Sequence, residues 1–552
     1  MIAQLRARLI EALKELGIEP DYIQLDRPRQ ASHGDLATNV PLVCARQAGK
    51  PPLTIAEELK AHLSLDSEII PRVEVAAPGF LNFFLADDYF RRHLLTILEQ
   101  GKDYGKSAIG EGQRALVEFV SANPTGPLTV GHGRGAILGD TVSNILSWNG
   151  YQVDREYYYN DAGRQMRLLG QSVWARYSQS IDPNAPFPED GYQGDYITEI
   201  SQSLPPSFNP PAPSPDETNP YEDPIIVGMA SGYAEEAIFE DIKNTLRTIG
   251  IAFDHYFNER SLYQSDALNE VVSALEKKGF VYRKDGATWL KATALDRPED
   301  RVLIKSSGEP TYRLPDIAYH ADKLERGYDL VVDIFGADHQ DTYPDVLAGV
   351  QGLGYDTGNI RVLIHQFVTL TRGGQQVKMS TRKATFVTLE ELIAEVGRDV
   401  VRYFFIMRGM DSHLQFDLDL ARKTSDENPV YYLQYAHARM VNIGKRAEAF
   451  GYQLEPDSAP LQLLALPEAR TLMHLLWWFP EVVQQVHGSL EPQTMANFLQ
   501  ELATAYHRYY TVARVVTDDR ELSTARLVIT EACRRTLANG LAILGITAPE
   551  RM

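Results

Sequence analysis

The sequence is poor in cysteine and has no long apolar run. Its 552 residues include two cysteines, Cys44 and Cys533, too few for a disulfide framework or a cysteine-rich zinc site. No stretch of about 18 apolar residues is present, so no membrane-spanning helix is predicted. The first twenty residues mix charged and apolar residues at helical spacing, which predicts an amphipathic helix rather than a secretory signal. These features favour a protein of the reducing cytoplasm, with no membrane partner.

The chain is also short of positive charge. Its 54 lysine and arginine residues stand against 74 aspartate and glutamate residues, giving a net charge of -20 at pH 7. Broad, non-specific binding of nucleic acid depends on many lysine and arginine contacts to phosphates, and this composition argues against it. A nucleic-acid partner would therefore have to be held by local basic patches.

Changes in residue pattern divide the chain into three predicted domains. Residues 1–110 mix helix and short strand signals and end in a polar, glycine-bearing linker, which predicts an α+β domain. Residues 111–426 contain "ALVEFVS", an amphipathic segment closed by Gly150, and "YQVDREYYY". Strand, helix and strand in this order predict a doubly wound, Rossmann-like α/β domain with a parallel sheet. Residues 427–552 predict an all-α helical bundle.

One part of the second domain differs in composition from the rest. Residues 178–225 are rich in proline, serine and aspartate. Such a composition predicts a surface insertion with little regular structure.

The segment "PLTVGHGRGA" allows two interpretations. Gly131, Gly133 and Ala136 match the dinucleotide fingerprint G-x-G-x-x-A, which would indicate a nicotinamide-dependent oxidoreductase. About ten residues separate Ser121, at the end of the strand, from Gly131, and this spacing fits the fingerprint poorly. In the other interpretation His132 is the working residue. At a helix N-terminus the backbone N–H groups attract an anion, and the imidazole adds a directional donor.

A basic segment far along the chain is also suited to an anionic ligand. "TRGGQQVKMSTRKATFVTLEEL" places Lys378, Ser380 and Arg382 after a glycine turn. By itself this could be a solvated basic loop, but such cations also stabilise charge on a reacting triphosphate. Thr388 and Glu391 predict a capping box at the start of the next helix.

Together the two segments resemble a known enzyme family. "GPLTVGH" resembles the HIGH signature of class I aminoacyl-tRNA synthetases, and "KMSTR" resembles their KMSKS loop. Longer strings resemble arginyl-tRNA synthetases over the whole chain and in the family's order. Among them are "VEFVSANPTGPLTVGHGRGA", "YYNDAGRQ", "PTYRLPDIAYH", "FGADHQD", "KMSTRKATFVTLEELI", "NPVYYLQYAHAR" and "LANGLAILGITAPERM".

The resemblance implies a ligase of protein biosynthesis with a two-step reaction. L-arginine would be activated by ATP to arginyl-adenylate, and the arginyl group would pass to the terminal ribose 2′-OH of tRNA(Arg). Mg²⁺ would accompany ATP as part of the substrate, with no structural metal bound by the protein. The enzyme is expected to be a cytoplasmic monomer that must bind tRNA before it activates arginine.

The resemblance also implies roles for individual residues. The catalytic residues would be His132, Lys378, Ser380 and Arg382. The ATP-binding residues would be Pro124, Gly126, Thr129, Gly131, His132, Gly135 and Met379. The arginine-binding residues would be Glu118, Asn123, Tyr312, Asp316 and His339. The tRNA-binding residues would be Asn82 for the elbow and Tyr435, Tyr510 and Met552 for the anticodon.

The sequence departs from the general motifs at two positions. Thr129 stands where the HIGH signature begins with histidine, and Thr381 stands where KMSK ends in lysine. Arg382 or Lys383 would supply the missing cation. These departures motivate an alternative, a paralogue that binds tRNA or amino acid without catalysis. Pro315, between Tyr312 and Asp316, predicts that no continuous helix joins the guanidinium-reading pair.

Overall fold

Three folding units follow one another along the chain in the computed structural model, which describes residues 1–20, 22–205, 208, 223–377 and 387–552. The first is an α+β domain on a small antiparallel sheet with strand order β1-β3-β2. Its elements are α1 (Ile2–Glu15), β1 (Leu36–Thr38), α2 (Val40–Ala48), α3 (Pro52–His62), β2 (Arg72–Ala76), β3 (Phe80–Phe84) and α4 (Asp87–Gln100).

Asn82 lies in β3, the central strand of this sheet, opposite Ala37 and Glu74. The residue is 5% exposed, and its neighbours Leu81 and Phe83 are fully buried in the domain core. Because successive side chains of a strand point to opposite faces, Asn82 shares the other face of the sheet with Phe80 and Phe84. Its contact with tRNA stays a prediction.

The second unit is built on a five-stranded sheet in which all strands are parallel, with order β11-β10-β4-β5-β6. This confirms the predicted doubly wound α/β domain. The first half comprises β4 (Arg114–Glu118), α5 (Val130–Trp148), β5 (Gln152–Tyr159), α6 (Gly163–Ile181), α7 (Asp195–Ser203), α8 (Pro224–Thr248) and β6 (His255–Asn258). The strand order reverses beside β4, so the carboxyl ends of β4 and β10 are the expected place for ligands.

The second half of this unit adds two small sheets with orders β7-β8-β9 and β13-β12-β14. Its helices and strands are α9 (Arg260–Gln264), α10 (Ala267–Lys277), β7 (Val281–Lys284), β8 (Ala287–Leu290), β9 (Arg301–Ile304), α11 (Arg313–Glu325), β10 (Leu330–Gly336), α12 (Tyr343–Leu353), β11 (Ile360–His365), β12 (Val368–Arg372), β13 (Gln375–Gln376), α13 (Leu389–Val396), α14 (Arg398–Ile406), β14 (Leu414–Asp417) and α15 (Leu418–Ala421).

The proline-rich segment is more regular than its composition predicts. Within 178–225, the structure describes the end of α6, the whole of α7 and the start of α8. Helix α7 buries Ile197 and Ile200, three positions apart on one helical face. The expectation of little regular structure is wrong for these residues, because a short amphipathic helix is hidden among proline-rich flanks. Residues 206–207 and 209–222 lie outside the described part of the chain.

The third unit is the predicted helical bundle, with α16 (Pro429–Ala449), α17 (Pro467–Ser489), α18 (Pro492–Val512) and α19 (Arg520–Ile543). It packs against the N-terminal domain. Arg470 donates to Asp87 at 2.8 Å and to Asp35 at 2.9 Å, and the Tyr104 hydroxyl donates to the Leu476 carbonyl at 2.6 Å. Within the described ranges, no helix is long and apolar enough to cross a membrane.

Candidate active site

The carboxyl ends of the central strands open into a cleft of about 730 Å³. Nine residues predicted to bind ATP or arginine line this cleft, although they are spread over more than half of the second domain. They are Glu118, Asn123, Thr129, Gly131, His132, Gly135, Tyr312, Asp316 and His339. A parallel sheet explains the gathering, because the carboxyl ends of its strands meet at one edge.

Two predicted ATP-binding residues are not among the described lining residues. Pro124 is buried in the loop between β4 and α5. Gly126 lies in the same loop, where an added Cβ would be 3.0 Å from the Tyr196 hydroxyl oxygen of α7. Tyr196 in turn donates to the Thr125 carbonyl at 2.8 Å. The loop is thus held against α7, a contact that the sequence does not indicate.

His132 occupies the first turn of α5, which Thr129 caps. The two residues form a capping box, in which the Thr129 backbone N–H donates to His132 Nδ1 at 3.2 Å. Because Nδ1 accepts this bond, the neutral ring carries its proton on Nε2. Burial lowers the pKa of His132, so the neutral form prevails near pH 7. The histidine is therefore arranged as an Nε2–H donor beside the helix N-terminus.

The two class I motifs approach each other through main-chain contacts. Thr129 forms an isolated antiparallel bridge with Thr388, and the Leu389 N–H donates to the Leu128 carbonyl at 2.8 Å. Thr388 and Glu391 form the predicted capping box at the start of α13. These contacts hold the carboxyl-terminal end of the basic segment against the start of α5. The predicted residues Lys378, Met379, Ser380 and Arg382 lie outside the described residues.

Gly133 of the G-x-G-x-x-A pattern and the neighbouring Gly135 serve packing, whereas a Cβ on Gly131 would make only an ordinary contact, 3.6 Å from Thr129 Oγ1. A Cβ on Gly133 would lie 2.6 Å from a Leu389 methyl carbon, and a Cβ on Gly135 would lie 3.0 Å from His365 Nε2. Gly133 therefore permits close contact with α13, and Gly135 permits His365 to stand against the start of α5.

Asp316 lies in the first turn of α11, on the floor of the cleft. The expected break at Pro315 does not occur, because α11 begins at Arg313 and places the proline in the first turn. A proline there removes an N–H that has no intrahelical partner. Tyr312 is 87% exposed at the rim, whereas Asp316 is partly covered. Burial raises the pKa of Asp316 to about 7. The positive charge of His320 opposes this rise, and the negative charges of Glu118 and Glu259 add to it.

The predicted arginine ligand Glu118 belongs to a buried chain of charges. Its carboxylate accepts from Ser121 Oγ at 2.8 Å and from Lys323 Nζ at 2.5 Å. Lys323 also donates to Asp333 at 2.6 Å. Burial by itself would lower the pKa of Lys323, but the two carboxylates hold it above its usual range. Glu118 thus has a fixed internal partner as well as a face toward the cleft.

Asn123 and His339 are the remaining predicted residues of the cleft, and both contact neighbouring side chains. Asn123 accepts from the Asn160 N–H at 3.0 Å through its side-chain oxygen and donates to Gln165 at 3.1 Å. His339 stacks on Phe335 with 5.0 Å between ring centroids, and about half of its side chain is exposed.

Several cleft residues were not predicted, namely Tyr158, Glu259, His320, Asp338 and His365. His365 ends β11, and burial lowers its pKa to about 4. Glu259 directly follows β6. A polar residue just after each parallel strand is a signal that could have identified these two from the sequence.

A second cavity, of about 290 Å³, lies on the helical bundle. Three residues predicted to meet the anticodon line it, namely Tyr435, Tyr510 and Met552. The guanidinium carbon of Arg439 lies 4.5 Å from the Tyr435 ring centroid and 5.0 Å from that of Tyr510. Aromatic faces beside arginine are suited to stacking an unpaired base near its phosphate.

Comparison with known proteins agrees with this geometry. Residues 3–85 match the arginyl tRNA synthetase N-terminal domain, residues 93–184 and 234–404 match the catalytic domain of class I (R) tRNA synthetases, and residues 433–552 match the DALR anticodon-binding domain.

Individual relatives match over nearly the full length. The chain is 46% identical to the arginine–tRNA ligase of Salinibacter ruber, covering 99% of each chain. It is 48% identical to that of Desulfotalea psychrophila, covering 96% of this chain and 94% of the relative. The arginyl-tRNA synthetase of Thermus thermophilus has the same fold, with a TM-score of 0.79, 24% identity and full coverage of both chains.

Proposed function

The chain belongs to the arginyl-tRNA synthetase family, and from this we propose that its cleft activates L-arginine with ATP and transfers it to tRNA(Arg). The proposal is carried by one observation: the same cleft contains a site suited to an anion and a site suited to a cation. The N-terminus of α5 with His132 suits an anion, and the carboxylates of Glu118 and Asp316 suit a cation. The cationic side chain of arginine fits the carboxylates and the phosphates of ATP fit the N-terminus of α5, so the cleft can hold both substrates side by side.

In the first step, an oxygen of the arginine carboxylate attacks the α-phosphorus of ATP. The bond from that phosphorus to the bridging oxygen breaks, and pyrophosphate leaves with the electron pair. Catalysis of this kind depends on positioning and charge stabilisation. We assign His132 Nε2–H as a donor to a phosphate oxygen, and Lys378 and Ser380 as groups that neutralise the departing pyrophosphate. Mg²⁺ enters with ATP as part of the substrate.

In the second step, the 2′-OH of the terminal tRNA ribose attacks the arginyl carbonyl carbon and AMP leaves. Here residues 427–552 hold the anticodon, residues 111–426 carry out the chemistry, and residues 1–110 meet the tRNA elbow, with Asn82 as the predicted contact. Stacking on Tyr435 and Tyr510 beside Arg439 supports the anticodon assignment. In this proposal the enzyme acts in the cytoplasm as a monomer.

Arginine-dependent exchange of pyrophosphate into ATP tests the proposal. We expect exchange with tRNA(Arg) present and little without it, because tRNA contacts would shift the site to its competent state. Asp316→Ala provides the matched variant, with exchange restored in part by high arginine concentration. Folded protein that binds tRNA(Arg) but shows no exchange in its presence would favour the non-catalytic alternative.

A further inference from the structure

Asp316 lies among more carboxylates than cations. The charged and titratable groups that act on it directly come from four elements of the domain. They are Glu118 of β4, Tyr158 of β5, Glu259 and Tyr263 at α9, and His320 and Lys323 of α11. Asp333 of β10 belongs to the same network through its ion pairs with His320 and Lys323. The balance of these charges decides the state in which Asp316 meets a cationic substrate.

His320 is one of the two cations in this group. Its Nδ1 lies 2.8 Å from the Asp316 carbonyl oxygen, and its Nε2 lies 3.1 Å from Asp333 Oδ2. A carbonyl oxygen and a carboxylate both accept hydrogen bonds, so both ring nitrogens donate and the ring is an imidazolium. The other cation, Lys323, bridges Glu118 and Asp333. The two cations are thus balanced by those two carboxylates.

Asp316 has no cation of its own within the part of the chain that is described. No hydrogen bond or ion pair there reaches its carboxylate oxygens, which face the cleft. Glu259 is satisfied separately, since its carboxylate accepts from the Tyr158 hydroxyl at 2.6 Å and from the Tyr263 hydroxyl at 3.2 Å. Ionised Asp316 would add an uncompensated negative charge beside Glu118 and Glu259. A carboxyl group in that setting retains its proton more readily.

We propose that the free enzyme keeps a proton on the Asp316 carboxyl group and that the guanidinium group of arginine displaces it on binding. The O–H bond of Asp316 breaks, the proton passes to solvent, and the resulting carboxylate pairs with the guanidinium, which stays charged throughout. Binding is then an exchange of one cation for another inside the pocket. This inference rests on the proposed function, because it requires arginine as the ligand.

The displaced proton makes arginine affinity depend on pH. The pKa of Asp316 is raised to about 7 in the free enzyme. Ionisation precedes pairing, so affinity is full above that pH and falls by up to about tenfold per pH unit below it. At pH 7 a group with this pKa is half protonated, so about half a proton is released per arginine bound.

Calorimetric titration of the full chain with arginine tests this, with and without tRNA(Arg). Titrations at one pH in phosphate and in Tris buffer yield the number of protons released, because the two buffers take up protons with different enthalpies. We expect about half a proton at pH 7, rising toward one at pH 6 and approaching zero at pH 8. Arginine binding with no proton release over this range would overturn the inference and leave the ligase function standing. Absence of arginine binding, even with tRNA, would overturn the function itself.

Variants locate the source of the proton. Asp316→Asn should bind arginine more weakly and release no proton near pH 7. Asp341→Asn is the matched control, since its side chain is exposed and does not line the cleft, and its proton count should equal that of the wild type. Proton release that persists in Asp316→Asn and disappears in His320→Gln would overturn the assignment to Asp316. If the Asp316 variant binds arginine too weakly to titrate, the change in wild-type proton release between pH 6 and pH 8 tests the inference instead.

Discussion

The backbone N–H of Thr129 donates to Nδ1 of His132, so the residue that caps α5 also sets the tautomer of its histidine. Thr129 is the position at which the chain departs from the HIGH signature. Threonine is favoured at a helix N-cap, where histidine is less common. The bond to Nδ1 comes from the backbone N–H, which a histidine at position 129 would also supply. The threonine side chain instead accepts from the His132 backbone N–H in the capping box, so the departure supports the helix start.

His132 is expected to act through Nε2. His132→Asn should lower the rate of adenylate formation by about 10²–10³-fold, the usual cost of one lost donor to a developing charge. His132→Gln should lose less, because its amide nitrogen can reach the Nε2 position. Rapid-quench measurement of adenylate formation compares the two, and arginine affinity is the control. Equal losses in both variants would contradict the assignment to Nε2.

Asp316→Ala should weaken arginine binding several-fold more than ATP binding, because a charged donor loses its acceptor. The Michaelis constants for arginine and ATP in aminoacylation measure both effects. Asp341→Ala, at an exposed aspartate that does not line the cleft, serves as the control. A similar rise in both constants for Asp316→Ala would indicate a general disturbance of the site.

Lys378→Ala should lower the rate of adenylate formation far more than it weakens substrate binding, since the lysine is assigned to charge that develops in the transition state. Single-turnover kinetics separates the two quantities. Arg382→Ala and Lys383→Ala, measured in parallel, identify which cation compensates for Thr381. A large rise in KM with an unchanged kcat for Lys378→Ala would assign it to ground-state binding.

Lys323→Met should destabilise the catalytic domain by about 3–5 kcal/mol, because it removes the cation that bridges two buried carboxylates and leaves Glu118 without a cationic partner. In the wild type, Lys323 and His320 hold the pKa of Asp333 below its usual range despite burial. The stabilisation from this pairing is present above the pKa of Asp333 in the unfolded chain, about 4, and is lost as pH falls through the lower pKa of Asp333 in the folded protein.

The stability of the Lys323→Met variant should change with pH in the opposite direction. Without Lys323 the two buried carboxylates share only the His320 imidazolium, so the folded site takes up a proton more readily than the unfolded chain does, and stability falls as pH rises. Lys323→Met should therefore melt at a higher temperature at pH 5 than at pH 7, which thermal unfolding followed by circular dichroism measures. Lys305→Met, which removes an exposed lysine 3.4 Å from Glu309, is the control and should change little. A pH-independent loss in Lys323→Met would point to packing instead of charge.

Tyr435→Ala should raise the KM for tRNA(Arg) by about tenfold or more, in keeping with about 1–3 kcal/mol per stacked base. The KM for ATP should not change. Phe450→Ala is the matched control, because its ring is also exposed at the end of α16 but does not line the cavity. Steady-state aminoacylation measures both constants. Similar effects of the two variants would argue against a specific base contact at Tyr435.

The sequence determined the family, the class of the fold and the order of its elements. The βαβ unit of β4, α5 and β5 and the capping box of Thr388 and Glu391 depend on apolar periodicity and end-capping residues, which act between near neighbours in the chain. For the same reason the sequence predicted His132 at a helix start.

Only the tertiary structure decided which partners the predicted residues contact and how far each is buried. Lys323 lies 205 positions from Glu118, and no local pattern joins them. Asn82 lies in the middle strand of its sheet, on the face opposite to the core residues Leu81 and Phe83, and α11 runs through Pro315 because its helix begins two residues earlier. Burial, charge pairing and proton occupancy depend on which segments pack together, and that packing is a property of the whole fold.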